Sequence, residues 1–330
     1  MRLNNIFTSG AVFPKGKTIR IFGTGKGECE IEFAGIKKSL KSEDDVWCAE
    51  FPPMQYGGPY TLIFTSDGER VELNDIYIGE VYLFGGQSNI AFMLKASNTP
   101  VEDYEEIEGL RLFKCQNDPS LDECWQSARL GVIEEFSALG YHVGKNLIKE
   151  KGVAIGIITC CHGASVLDSW IPEGTLAGLG ISFKEEEMHR DRFGEYGAWN
   201  GEGYLYNKML SKIIPYSLSG VVWYQGESNA AEGEALHYER MLRELIKIWR
   251  ERFINDSLPF TIVQIADTDE RIAEGYGWKA VQDAQEKVAT TEKDTYLVIS
   301  RDICERDDVH PPSKAPLAKR VSDVILKNYI

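Results

Sequence analysis

The sequence predicts an α/β protein in which a parallel central sheet, covered by helices on both faces, follows a small antiparallel β-sandwich domain. Two observations carry this expectation. From Ile76 onward short apolar runs alternate with amphipathic segments of helical period, and a β-then-α alternation packs as a parallel sheet. Before Asn74 apolar residues recur at a period of two between turn signals, and helical periodicity is absent. These patterns assign residues 1–75 to the β domain and 76–330 to the α/β domain, with the boundary between Leu73 and Glu80 and no flexible linker.

In the β domain, Thr18–Gly23 and Cys29–Phe33 alternate polar with apolar side chains, as half-buried strands do. Tyr60–Phe64 follows Gly57-Gly58-Pro59, and Ser66-Asp67-Gly68-Glu69 has the residues of a hairpin turn before Val71. Beyond the boundary the expected strands are Glu80–Phe84, Ala154–Thr159, Val221–Tyr224, Phe260–Ile265 and Tyr296–Ser300. Runs such as Ile155-Gly156-Ile157-Ile158 are apolar at every position, which suits strands buried on both faces. The expected helices are Glu134–Lys149, Tyr204–Ile214, Tyr238–Arg252 and Lys279–Ala289. In the third, Met241, Leu245 and Ile248 form one apolar stripe while Arg243, Glu244, Lys247 and Arg250 face water.

Composition excludes several functions. A chain of 330 residues with a formal net charge of −15 repels phosphate backbones and anionic lipid, so neither nucleic acid nor a membrane surface is an expected partner. The opening residues Met1–Gly10 hold no apolar stretch of signal-peptide length, and Gly152–Cys161 is far shorter than the roughly 20 residues that span a bilayer. A cytoplasmic location is the expectation. Seven cysteines are an odd number spread over a long chain, which reads as reduced thiols rather than a disulfide framework. Cys160, Cys161 and His162 are consecutive, and neighbours on a strand point to opposite faces, so they cannot converge on one metal. No metal or cofactor is expected.

Ligands of open α/β sheets gather at the carboxyl ends of the strands, where this sequence places four polar clusters. Phe84-Gly85-Gly86-Gln87-Ser88-Asn89 ends a strand in a glycine turn and sets a serine hydroxyl at the start of a helix, where backbone amides favour developing negative charge. Cys161-His162-Gly163-Ala164 follows the next strand, and the Gly163 amide is a candidate oxyanion donor. In Trp223-Tyr224-Gln225-Gly226-Glu227-Ser228-Asn229, Gln225 and Asn229 are candidate oxyanion or substrate donors, and Glu227 is suited to holding a loop or orienting a neighbour. The last cluster, Glu305–Pro312, contains His310. Of the five histidines, His142 and His237 lie in helical segments and His189 in a charged stretch, where surface or capping roles are expected; His310 has carboxylates two and three positions before it. A neutral imidazole takes a serine proton, and a carboxylate on its other nitrogen fixes the tautomer. A helical turn would put Asp307 on the face of His310, an extended one Asp308, and Pro311 disfavours the helical turn.

Taken in order, these clusters resemble the sialate O-acetylesterase family of carbohydrate esterases, within the SGNH hydrolase superfamily. Pro53–Tyr60 looks like a segment of that family's N-terminal β domain, Gly86–Asn89 like its nucleophile block, and Phe136–Tyr141 like its following helix. Trp223–Asn229 resembles its third block and Asp308–Pro311 its last. The resemblance implies an SGNH-hydrolase-like three-layer α/β/α fold, with Ser88 as nucleophile, His310 as base and Asp307 as the acid three residues before it. It also implies an oxyanion hole from the Ser88 and Gly163 amides with a third-block side chain. This chain departs from the family in carrying His162-Gly163-Ala164 where Trp-Gly-Gly is frequent, Gln225 where the superfamily has asparagine, and Ile90 for methionine.

The implied activity is removal of O-acetyl groups from carbohydrates through an acetyl-serine, on sialic acid, xylan, mannan or other acetylated oligosaccharides. The alternatives are a sugar-binding protein without turnover, with Trp170, Trp199 and Trp278 as stacking surfaces, and an SGNH lipase or thioesterase for longer acyl groups. The β domain is a candidate for substrate contact, homo-oligomerisation or bracing.

Overall fold

The computed structural model describes residues 1–183, 197–269 and 276–329. Its strands are β1 Arg2–Leu3, β2 Val12–Pro14, β3 Ile19–Thr24, β4 Gly27–Phe33, β5 Ile36–Ser42, β6 Val46–Phe51, β7 Gly57–Ser66, β8 Glu69–Gly86, β9 Ile107–Lys114, β10 Gln126–Ala128, β11 Ile155–Cys161, β12 Gly220–Tyr224, β13 Phe260–Val263 and β14 Thr295–Val298.

The N-terminal part is two facing sheets. One is β1-β3-β6; the other contains β4, β5, β7 and the first half of β8. Aromatic contacts close the space between them, Phe33 against Phe51 at 6.0 Å and Trp47 stacked on Phe64 at 5.5 Å. The expected hairpin joins β7 to β8 through Asp67 and Gly68, both left-handed at φ 52° and 81°, a two-residue turn whose twist matches the strands it joins.

β8 is the element that ties the molecule together. Its 18 residues pair antiparallel with β7 at one end and parallel with β11 and β12 at the other, so the expected boundary at residue 75 falls inside one continuous strand. The central sheet runs β10-β9-β11-β8-β12-β13-β14; β9 to β14 are parallel, and only the edge strand β10 is antiparallel. Alternate side chains serve opposite faces. Tyr82, Phe84, Ile155, Ile157, Val222 and Val263 pack under the helices Ala138–Lys151 and Lys314–Asn328. Leu83, Ile158, Val221, Trp223 and Ile262 pack under Tyr238–Arg252 and Tyr276–Thr291. The result is three layers.

Several expected elements are adjusted by local chemistry. The helix expected from Glu134 starts at Ala138, because Ser137 caps it by accepting a hydrogen bond from the Gly140 amide at 3.1 Å. The segment Tyr204–Ile214 splits at Met209 into a short α-helix and a 3-10 turn. Strand β9 and the helix Lys314–Asn328 were not among the expected elements. No described helix is long and apolar enough to cross a membrane.

Candidate active site

Because strand order reverses at β8, with β9 and β11 on one side and β12 to β14 on the other, its carboxyl end is the switch point where an open α/β sheet leaves a crevice. Register brings three of the polar clusters side by side there, with Gly86 paired to Cys161 on one flank and to Tyr224 on the other.

Gly86 makes the turn possible. Its φ is 140°, and a Cβ at this position would lie 2.0 Å from the Tyr224 carbonyl oxygen, so any side chain collides with the neighbouring backbone. We expect Gly86→Ala to cost several kcal/mol, on the scale of the largest point-mutant effects, read as a fall in the urea midpoint; a wild-type midpoint would contradict the geometry. The Gln87 amide then donates to the Tyr224 carbonyl at 3.2 Å, and Ser88 opens a one-turn helix, Ser88–Ala91. A helix this short contributes individual amides rather than a macrodipole. Ser88 is part-exposed while its neighbours Gln87 and Asn89 are buried, so the hydroxyl stands on a fixed base.

Ser88 Oγ and His310 Nε2 are 2.8 Å apart, although the residues are separated by 222 positions in sequence. Opposite them, the His162 amide donates to the Gly86 carbonyl at 3.1 Å, which docks the second cluster on the nucleophile turn. A Cβ built on Gly163 would meet Ser88 Cβ at 3.9 Å, so the Gly163 backbone borders the serine. The Gly163 amide donates to no acceptor among the described residues. The Ser88 amide, first in its helix, has no intrahelical acceptor. His162 makes a bond between Nδ1 and the Gly163 carbonyl at 2.9 Å and leans on Trp199, with ring centroids 4.9 Å apart. Burial, the main cause, lowers the His162 pKa, so this imidazole is neutral.

Two expectations for the third cluster are corrected. Gln225 is fully buried, and its Nε2 spends its hydrogens on the Ser165 carbonyl at 3.0 Å and Asn229 Oδ1 at 2.7 Å, leaving none for an oxyanion. Asn229, equally buried, accepts from the Leu167 amide at 2.8 Å and donates to Glu234 at 3.2 Å. Glu227 accepts from Asn89 Nδ2 at 2.7 Å and so holds the nucleophile helix rather than substrate. Gln87 reaches the same cluster, accepting from the Gly226 and Ser228 amides at 3.4 and 3.3 Å. The cluster is a foundation for the serine turn. A dense polar loop after a buried strand is compatible with either role, and only side-chain direction separates them.

The acid is also corrected. Asp307 is exposed; the carboxylate beside the ring belongs to Asp308, whose Oδ1 lies 3.6 Å from His310 Nδ1 and accepts from the His310 amide at 2.7 Å. The Asp308 carboxylate closes a turn on the amide two residues on, which brings its own oxygen under the ring. Of the remaining histidines, His142 is not at the surface: it is buried against Thr99 Oγ1 at 2.9 Å, and burial depresses its pKa to about 4. His237 stands just before the helix Tyr238–Arg252 and makes no side-chain capping bond, and His189 lies outside the described residues. Trp170 and Trp278 are core residues, so of these three tryptophans Trp199, part-exposed, is the one at the site. Asn89 and Lys314 escaped the reading of the sequence, although Asn89 adjoins the nucleophile.

Fold and geometry together define a class: an α/β protein with a serine–histidine pair at the switch point of its parallel sheet. The chain belongs to the family described as carbohydrate esterase, sialic acid-specific acetylesterase, whose model matches residues 78–327. It is 24% identical to the sialate O-acetylesterase of Homo sapiens, the match covering 86% of this chain and 60% of that protein. The Mus musculus sialate O-acetylesterase is also 24% identical, over 93% of this chain and 69% of the relative. This chain thus spans 60% of the length of the human relative. In structure it is similar to a carbohydrate acetylesterase from Xanthomonas citri, with a TM-score of 0.84 and 26% identity over 99% of this chain and 75% of that one. An Arabidopsis thaliana protein, 17% identical, shares the fold at a TM-score of 0.53 over 76% of this chain and 99% of its own.

Proposed function

We propose that this chain is a carbohydrate O-acetylesterase acting through an acetyl-serine at Ser88. The 2.8 Å contact between Ser88 Oγ and His310 Nε2 is the observation that supports it most directly. With His310 neutral, Nε2 accepts the Ser88 proton as Oγ attacks the acetyl carbonyl, and the carbonyl electrons move to the oxygen. The amides of Ser88 and Gly163, neither of which donates to a backbone acceptor among the described residues, are the donors this reading assigns to that oxyanion. Collapse expels the sugar alkoxide, which takes the proton from His310; water then attacks the acetyl-serine as it gives a proton to His310, and the second collapse releases acetate as His310 returns that proton to Ser88 Oγ.

The sugar is the part of the substrate that Trp199 supports. Its ring, packed on His162, offers an aromatic face on the Gly163 side of the serine. Trp199→Ala is expected to raise KM for an acetylated sugar about tenfold, the equivalent of a stacking contact of ~1–1.5 kcal/mol. The effect should be selective over 4-nitrophenyl acetate, which has no sugar ring; an equal change on both substrates would remove Trp199 from sugar recognition. The overall reading is tested by acetate release from a panel of acetylated sialic acid, xylo- and manno-oligosaccharides, with a 4-nitrophenyl octanoate control. Preference for the octanoate would favour a lipase or thioesterase, and release from none of the esters would leave a binding protein.

A further inference from the structure

We propose that Asn89 is a positioning residue that sets the Ser88–His310 distance, and that the buried ammonium of Lys314 holds Asn89 in place. The inference rests on the esterase reading above and extends it to residues that touch no substrate.

The geometry is a clamp. Asn89 directly follows the nucleophile and is fully buried. Its Nδ2 donates to Glu227 Oε1 at 2.7 Å and to the Val309 carbonyl at 3.1 Å, and its Oδ1 accepts from Lys314 Nζ at 2.6 Å. Val309 is joined by one peptide bond to His310. The amide is therefore bonded covalently beside the serine and, through one hydrogen bond, to the backbone that carries the base. His310 sits in a part-exposed loop with its ring stacked on Phe92 at a centroid distance of 6.4 Å, and the Asn89 bond ties the backbone of that loop to the nucleophile turn.

The Lys314 ammonium makes no other side-chain hydrogen bond among the described residues. Lys314 opens the helix Lys314–Asn328, is 1% exposed, and forms no ion pair among the described residues. Its ammonium lies 5.0 Å from the Phe92 ring centroid and 5.8 Å from that of Tyr224. Removing an ammonium from water is costly unless it is paired or hydrogen-bonded; the Asn89 carbonyl accepts one hydrogen and the two rings face the charge at cation–π distance, with Glu227, Glu305, Asp308 and Cys304 acting from further off. Glu227, at the other end, has one oxygen on Asn89 and the other buried without a partner. The amide thus connects a cation to a carboxylate, and each of its bonds polarises the other.

Burial, opposed by those acidic groups, lowers the Lys314 pKa to about 8. Below that pH the ammonium makes a charge-assisted bond to Asn89; above it a neutral amine remains, and a bond of about half the strength. The wild-type kcat for 4-nitrophenyl acetate should accordingly fall as pH rises through about 8.

The experiment compares wild type, Asn89→Ala, Lys314→Met and Lys314→Arg on 4-nitrophenyl acetate from pH 6 to 10, with thermal melting of each. Asn89→Ala is expected to lower kcat about a hundredfold, the scale of a misplaced reacting group, with KM within about twofold of wild type. Lys314→Met is expected to have low kcat and no alkaline limb, and Lys314→Arg to recover activity with its limb moved upward. Wild-type kcat in Asn89→Ala, or a limb still near pH 8 in either Lys314 variant, would overturn the proposal. If Asn89→Ala melts below the assay temperature, the limb of Lys314→Arg decides in the same two ways. A wild-type protein that neither turns over the ester nor reacts with a fluorophosphonate at Ser88 would instead remove the esterase reading, and the clamp with it.

Discussion

Ser88→Ala is expected to lower kcat for 4-nitrophenyl acetate by a factor on the order of 10⁶, the loss seen when a serine nucleophile is removed from a Ser–His site. Nothing else described can replace it. Ser165 is fully buried, with its hydroxyl accepting from Trp170, and Ser228 is bonded to Gln87 beneath the turn. The nearest thiols, Cys160 and Cys161, have raised pKa values, mainly through burial, so neither is a thiolate near neutral pH. The fold should survive, because Ser88 is part-exposed and its side chain bonds to His310 rather than to the core. The measurement is ester turnover alongside a melting curve. Near-normal turnover by a normally melting variant would mean that the chemistry lies elsewhere.

What the sequence discloses, and what it hides, follows from the range of the forces involved. Strands buried on both faces advertise themselves, since Ile155–Ile158 and Val221–Trp223 have to be apolar at every position. The helix Tyr238–Arg252 has the bounds its stripe of Met241, Leu245 and Ile248 implies. Strand β9 is disguised by a left-handed Gly109 and by Arg111, which is buried in the structure against Asp75 at 2.8 Å. In the helix Lys314–Asn328 the period of Leu317, Val321 and Ile325 is present, but Pro316 reads as a breaker; in the first turn it costs no intrahelical bond. Serine, histidine and both glycines of the site are legible because each follows a strand and needs a particular chemistry. The directions of Gln225, Glu227 and Asn229 are not, because an amide that binds an oxyanion and one that braces a loop are the same residue until the neighbours are known. The acid illustrates the same point in two adjacent residues: whether Asp307 or Asp308 lies under the ring depends on one turn of backbone.

His310 should carry the second large effect, and its acid a small one. His310→Ala removes the acceptor for the serine proton and is expected to cost at least 10⁴-fold in kcat, at the upper end of general-base effects or beyond. Asp308 is a different case. A buried carboxylate in hydrogen-bond contact with the imidazole contributes on the order of 10⁴-fold, but here the Oδ1–Nδ1 distance is 3.6 Å, beyond a hydrogen bond, and the side chains are 52% and 37% exposed. Solvent screening reduces such a pair to about 1 kcal/mol, so Asp308→Ala should lower kcat only about tenfold. Part of that loss would come from the turn that Asp308 closes on the His310 amide. Asp308→Asn separates the two, since an amide oxygen can still accept from that backbone while the charge is gone. If charge matters more, Asp308→Asn resembles Asp308→Ala; if the turn matters more, it resembles wild type. Asp307→Ala is expected within about twofold of wild type, the scale of a surface charge away from the ring. A loss at Asp307 larger than at Asp308 would show that the loop reorganises when substrate binds, bringing the other carboxylate to Nδ1, and would restore the acid three residues before the histidine.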